Sequence, residues 1–282
     1  MPGCGKSYAC EKMKERGHNI LFVCPTNKPV PNYKNCGVTM NKFFSMSVDF
    51  DIMMSKFDSS SYDVIVFDEI YLSCIKKLAK IKQYCDANPD KIIIATGDTK
   101  QLEPIEKLSN QFDYDEYADH CVNAIFNHEI YLTIPKRVKS DEDKLKLKTL
   151  KEDVFNESMP IIDIAKKYFK FTNDISESNK NIAYLNRTCA SVADKIRKKL
   201  NKTSEYEVGE KIICRKWFKV NKDSFNVNFE YEIIKIDNHN ITIFDASTQK
   251  EYAMNINKIK SNLSSAIVEP VIGIKVVQLM SQ

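Results

Sequence analysis

Nothing in this 282-residue chain approaches the length of a membrane-spanning apolar run, and its first residues lack the basic-then-apolar profile of a signal peptide. That points to a soluble protein kept inside a cell, not a secreted one. The nine cysteines offer no Cys-x-x-Cys pair and no Cys/His ligand spacing. This sets aside zinc and leaves free, mostly buried thiols in a reducing compartment. Strong charge is missing as well: a net +4 neither requires a nucleic-acid partner nor excludes one gripped by clustered lysines. Arginine is scarce, five residues in all, so each one matters. Neither internal repeats nor low-complexity tracts occur. The length suffices for one large or two small domains with real cores.

What is present is an alternation. Ser7 to Arg16 reads as a helix, Asn19 to Cys24 as a buried strand closed by Pro25, and Asp63 to Phe67 as a second strand followed by a helix through about Tyr84. Lys91 to Ala95 is a third strand, and a short fourth is expected at Glu129 to Leu132. Short apolar strands alternating with helices predict an α/β fold with a mostly parallel sheet, whose ligands sit at the carboxyl ends of the strands. Ser140 to Phe155 and Ile161 to Tyr168 read as helices, Asn181 to Leu185 as a strand, and Thr188 to Leu200 as the helix after it. From about Tyr206 the pattern shifts to short alternating runs, at 211–215, 230–235 and 240–244, which predict a small antiparallel barrel or meander.

Polar chemistry follows each early strand or opens a helix. Gly3-Cys4-Gly5-Lys6-Ser7 has the form of the end of a phosphate-binding loop. Its backbone N–H groups turn toward an anion, Lys6 reaches the β- and γ-phosphates of ATP, and Ser7 coordinates Mg²⁺. Asp68-Glu69 closes the second strand: the first acid holds Mg²⁺ and the second polarises an attacking water. Gly97-Asp98 closes the third strand, and Gln101 just beyond it is a γ-phosphate sensor. Each element has a plainer reading: a chance tripeptide, an acidic pair capping a helix, a Gly-Asp turn. Three in order, each at the expected place beside the sheet, favour nucleotide binding.

Together these segments resemble superfamily 1 helicases, closest to the RecD-like 5′-to-3′ branch. Residues 2–7 resemble motif I, Val23-Cys-Pro25-Thr26-Asn27 motif Ia, Asp68-Glu69 motif II, 97–102 motif III and 132–137 motif IV. The resemblance implies that Pro25, Thr26, Asn27, Thr39 and Phe43 contact single-stranded nucleic acid, DNA ahead of RNA, and that Arg137 points at the γ-phosphate from a second motor domain. It implies a RecA-like parallel-sheet motor domain at 1–135, lacking its first strand. A second RecA-like domain then begins at 136–204, a small β-barrel is inserted at 205–262, and an incomplete remainder occupies 263–282. Asn41 stands where the family carries a His, and the family's closing motifs V and VI have no counterpart after the barrel. The expectation is therefore a piece of a longer motor that binds nucleotide weakly and unwinds nothing. The Lys-, Asn- and Ile-rich composition fits an AT-rich viral or mobile-element source. A monomer is favoured, in the cytoplasm or elsewhere in a host cell.

Several residues carry competing readings. Thr26 and Thr39 are as suited to ending strands as to touching a ligand, and at least one of Phe43 and Phe44 is expected in the core. Trp217 and Phe218 lie among Arg215, Lys216 and Lys219, a strand-binding pattern, but a small barrel needs a large aromatic inside, which is the preferred place for Trp217. Rival functions are a non-motor phosphate-loop ATPase or nucleotide kinase, a catalytically inactive nucleic-acid-binding remnant, and an interaction protein. A kinase wants an arginine-rich lid, which five scattered arginines do not supply.

Overall fold

A computed structural model describes residues 3–46, 57–99, 114–156, 159–171, 174, 181–183, 186–259, 262–265 and 268–270. The chain divides into two compact units, the first running to Phe171 and the second beginning at Thr172. This division falls later than the 135/136 boundary expected from the sequence.

The first unit opens with α1 (Lys6–Glu11), entered through Gly5 in the left-handed conformation. The single helix expected to Arg16 stops early; a 3-10 turn at Lys14–Arg16 closes on left-handed Gly17. Next come β1 (Ile20–Cys24), a 3-10 segment at Val30–Cys36, β2 (Gly37–Thr39), α2 (Met40–Phe43) and β3 (Val64–Phe67). A 3-10 turn at Ile70–Leu72 leads to α3 (Ile75–Ala87), β4 (Ile92–Ala95), α4 (Tyr114–Ile125), α5 (Asp141–Phe155) and α6 (Ile161–Tyr168). The sheet order is β2-β1-β3-β4, parallel throughout.

β1 and β3 are continuous apolar runs because both faces of the sheet are covered. Ile20, Phe22, Cys24, Val64 and Val66 face a layer containing Cys10 and Tyr33. Leu21, Val23, Ile65 and Phe67 face Leu78 and Ile81 of α3 together with Phe43. Each such fully buried side chain contributes about 1.5–3 kcal/mol of transfer free energy. α5 begins where Ser140 accepts a hydrogen bond from the Asp143 N–H at 3.0 Å, with three acids in its first turn.

The strand expected at Glu129 to Leu132 is absent: residues 127–133 carry no regular structure, and Ile130 is 87% exposed. Among the described residues no strand pairs with this apolar segment, and an isolated extended run gains nothing from its β propensity.

The second unit contains β5 (Asn181–Ala183), α7 (Asn186–Lys199), β6 (Lys211–Cys214), β7 (Phe218–Val220), β8 (Asp223–Phe225), β9 (Glu230–Asp237) and β10 (Asn240–Asp245). β11 (Lys250–Asn255), α8 (Ile256–Ile259), β12 (Leu263–Ser265) and β13 (Val268–Pro270) complete it. An antiparallel sheet runs β11-β10-β9-β6-β12, β7 and β8 form a separate hairpin, and β5 pairs with β13 in parallel. The antiparallel sheet therefore sits, in sequence, between two strands that pair with each other. Asn238 takes the left-handed conformation in the tight β9–β10 turn, which an Asn tolerates well. Trp217 is 56% exposed, with the Lys219 ammonium 5.5 Å from its ring, so its expected place in the core is corrected. Phe225 fills the core instead, its ring stacked on Phe218.

Candidate active site

Parallel register brings the strand ends to one edge of the sheet. Val23 lies beside Phe67, and Phe67 beside Ala95. The next residues continue the ladder one step: the Asp68 N–H donates to the Val23 carbonyl at 2.9 Å, and the Thr96 N–H to the Phe67 carbonyl at 2.9 Å. Asp68 and Thr96 therefore emerge side by side, next to Cys24 and its partner Thr39.

The Asp68 carboxylate is 4% exposed, and each of its oxygens accepts a hydrogen bond. The Tyr33 phenol donates to Oδ2 at 2.5 Å and the Thr96 hydroxyl to Oδ1 at 2.5 Å. Ser7 lies near enough to the Tyr33 phenol to ease its ionisation. Burial and the neighbouring Asp68 push the Tyr33 phenol well above its ordinary range. Burial first, then Asp68, raises the Cys10 thiol to about 11 and the Cys24 thiol to about 12. Both stay neutral and inert, in keeping with nine free cysteines.

Glu69 gathers the remaining charge. Its carboxyl is raised above the ordinary range by burial, is pulled back by Lys6, and is raised again by Asp68 and Asp98. Lys6, Asp68 and Asp98 therefore all lie within electrostatic reach of Glu69. Glu69 adopts φ 48°, a left-handed conformation that costs a non-glycine residue about 1–3 kcal/mol and clusters at functional sites. The Ile70 N–H, donating to the Thr96 carbonyl at 2.8 Å, holds that turn against the end of β4.

Two glycines are required by contact. A side chain at Gly97 would begin 2.6 Å from the Tyr71 ring. Gly3, at φ 72°, accepts hydrogen bonds from the Lys136 and Arg137 N–H groups at 2.8 and 3.1 Å, and a Cβ there would meet the Arg137 Cβ at 2.9 Å. Arg137 is thereby brought to the phosphate loop within the first unit itself. Cys4 beside Gly3 is buried, while Gly5 turns the chain into α1.

The residues expected to contact nucleic acid are split. Pro25, Thr26 and Asn27 form the bend leaving β1 at the same sheet edge, with Thr26 exposed. Thr39 caps α2, its hydroxyl accepting from the Lys42 N–H at 3.2 Å. Phe43 is corrected: it is 6% exposed and packs edge-on against Phe67 and Tyr84, so it serves the core. Gln101 lies outside the described residues. The sequence reading missed Tyr33 and gave Thr96 no role. Thr96 directly precedes Gly97 and was within reach of a motif argument; Tyr33, 35 residues from Asp68 in the chain, carried no local signal.

These donors fit Mg²⁺. Ser7 at the start of α1 and Asp68 after β3 supply a hydroxyl and a carboxylate, the hard oxygen donors this ion takes, and both act on the Tyr33 phenol. Mg²⁺ takes few protein ligands and relies on phosphate and water for the rest, and among the described residues no cluster of three or more acids, His or Cys offers a fuller cage.

A family model described as a viral superfamily 1 RNA helicase core domain matches residues 1–210. Comparison with curated proteins finds no match. Among solved structures the chain is similar to Pif1 in a structure of DNA unwinding at forked dsDNA by two coordinating Pif1 helicases. The TM-score is 0.59 at 15% identity, over 95% of this chain and 76% of that one. It is similar to Bacteroides Pif1 bound to ssDNA, with TM-score 0.55 at 15% identity, over 90% of this chain and 68% of that one. It is also similar to Pif1 helicase from Bacteroides in complex with ADP-AlF3 and ssDNA, with TM-score 0.56 at 16% identity over the same shares. At such identities the likeness speaks for the fold alone.

Proposed function

The chain belongs to the viral superfamily 1 RNA helicase core domain family, and on that premise we propose that its first unit is the ATP-hydrolysing site of a motor that moves along single-stranded nucleic acid. The observation that carries this reading is the carboxyl edge of the parallel sheet, where Asp68 emerges beside Thr96 and is followed by Glu69, with Lys6 in electrostatic reach. Lys6 and the amides around Gly3, Cys4 and Gly5 hold phosphate, with Gly97 and Asp98 closing the far side. Ser7 and Asp68 would hold Mg²⁺, which when bound would offset the charge of the phosphates. Glu69 is the base that takes a proton from the attacking water; its raised proton affinity suits that task. Arg137, whose backbone rests on Gly3, neutralises phosphate charge, and Gln101 senses the γ-phosphate.

Pro25, Thr26, Asn27 and Thr39 form the strand-contacting surface, with Phe43 supporting it from within. DNA is favoured, because structures of the same fold hold ssDNA, and the expected polarity is 5′-to-3′. In this reading 1–135 form the first motor domain and the second begins at 136–204. The barrel expected at 205–262 is an insertion, which the β5–β13 pair that brackets it supports; β12 (Leu263–Ser265) joins its sheet, so of the expected 263–282 remainder the return to the second domain starts after β12. A viral chain acting inside a host cell fits both the composition and the family description.

The test is equilibrium binding. The protein should bind Mg²⁺–ATP, Lys6→Ala should lose it, and oligo-dT binding should weaken steeply with added salt. A protein that ignores nucleotide under all conditions is not this motor.

A further inference from the structure

Tyr33 is held more tightly than a mere core aromatic. Its ring stacks on Phe22 at 3.9 Å between centroids and 4° between planes, and it is 5% exposed. Its hydroxyl donates to Asp68 Oδ2 at 2.5 Å. We propose that this phenol is a latch on the metal half of the site: it occupies Oδ2 of Asp68, the carboxylate that would hold a divalent cation, and must withdraw before that oxygen can coordinate one. The proposal rests on the nucleotide-site reading above.

The physical ground is space and charge. Mg²⁺ demands oxygens at about 2.0–2.1 Å in near-octahedral geometry. A hydroxyl 2.5 Å from Oδ2, with its proton aimed at that oxygen, occupies the approach and presents a positive hydrogen where the cation must sit. The Thr96 hydroxyl, on Oδ1, leaves this approach alone and orients the carboxylate. The stacked, buried ring has little room to rotate, so the latch opens by movement of its own segment, Val30–Cys36. That segment already holds Lys34 at φ 53°, ψ −126° beside Tyr33, a conformation that a non-glycine residue enters only under constraint. It also begins with the Val30 N–H donating to the Asn27 carbonyl at 3.2 Å, directly after the exposed bend at Pro25–Asn27. Metal loading and the proposed strand-contacting bend are thus tied through seven residues.

The apparent affinity of a site that must open first is reduced by the open fraction, and a hydrogen bond to a carboxylate shifts such an equilibrium by about tenfold or more. Tyr33→Phe keeps the stacked ring and removes the hydrogen bond to Asp68. We expect the Mg²⁺ concentration that half-saturates ADP binding, read by titration calorimetry, to fall about tenfold in Tyr33→Phe. ADP binding in EDTA should stay unchanged, and Thr96→Val should show no such tightening. A Tyr33→Phe protein that needs as much Mg²⁺ as wild type, or more, overturns the latch. Wild-type protein supplies a second measurement in case the variant does not fold: Mg²⁺ with ADP should speed hydrogen exchange at residues 30–36, and unchanged exchange overturns the proposal. If wild type binds Mg²⁺–ADP and Lys6→Ala does not, the nucleotide reading stands whatever Tyr33→Phe does. Failure of both wild type and Tyr33→Phe to bind sinks both readings.

Discussion

β3 in the first unit and β10 in the second are both rich in β-branched and aromatic residues, yet they are buried in different ways. All four residues of β3 are buried, because helices and turns cover both faces of its sheet. In β10 burial alternates, with Ile241, Ile243 and Asp245 inside and Thr242 and Phe244 partly exposed. The consequence is chemical. A two-sided parallel sheet collects polar residues only where its strands stop, and packs them together at one edge in low dielectric. A one-sided antiparallel sheet spreads its polar residues over an open face, where charges are screened. In the first arrangement the Asp68 carboxylate has both oxygens engaged by buried donors.

The contrast is broken or sharpened by substitution, and the largest effect is expected at Glu69. Glu69→Gln should lower strand-stimulated ATP turnover by about 10²–10⁴, as loss of a general base does. It should also raise the melting temperature at neutral pH. The folded carboxyl holds its proton more tightly than the unfolded one. The protonated form therefore contributes stability that is complete below the ordinary carboxylate range and is lost as pH rises through the folded value. The variant keeps the neutral form throughout, so its advantage should shrink on acidification. A variant less stable than wild type at neutral pH would contradict the assigned strain. Next, Lys6→Ala should cost about 10²–10³ in turnover, with an unchanged circular dichroism spectrum; normal turnover would remove the site from this edge.

In the second unit, Phe225→Ala should destabilise by about 3–5 kcal/mol in denaturant titrations, as a large core deletion does. It should leave Mg²⁺–ADP affinity intact, and loss of that affinity would show that the antiparallel sheet shares in the site. The smallest effect is expected at Trp217. Trp217→Ala should change stability by less than about 0.5 kcal/mol. The single tryptophan of the wild-type chain should be readily quenched by acrylamide, and a protected indole would place it back inside.

Much of this was legible in the chain. Apolar runs closed by Pro25, Asp68 and Gly97 announced parallel strands with chemistry at their ends, because local periodicity and strand termination depend on neighbouring residues. The alternation after Tyr206 announced an antiparallel sheet for the same reason. What failed depended on distant partners. Glu129 to Leu132 had the composition of a strand but has none beside it among the described residues. Phe43 and Trp217 exchanged their expected surroundings, because exposure is set by the space left between elements and not by the residue alone.

Residue types and their order along the chain were enough to specify a phosphate loop, an acidic pair and a parallel sheet, since each is a matter of a few adjacent residues meeting a turn or a strand end. The tertiary structure alone decided that a tyrosine and a threonine, 35 and 28 residues from Asp68, would share its carboxylate. Hydrogen bonding across a sheet edge depends on register and layer packing, and neither is written in any local stretch of sequence.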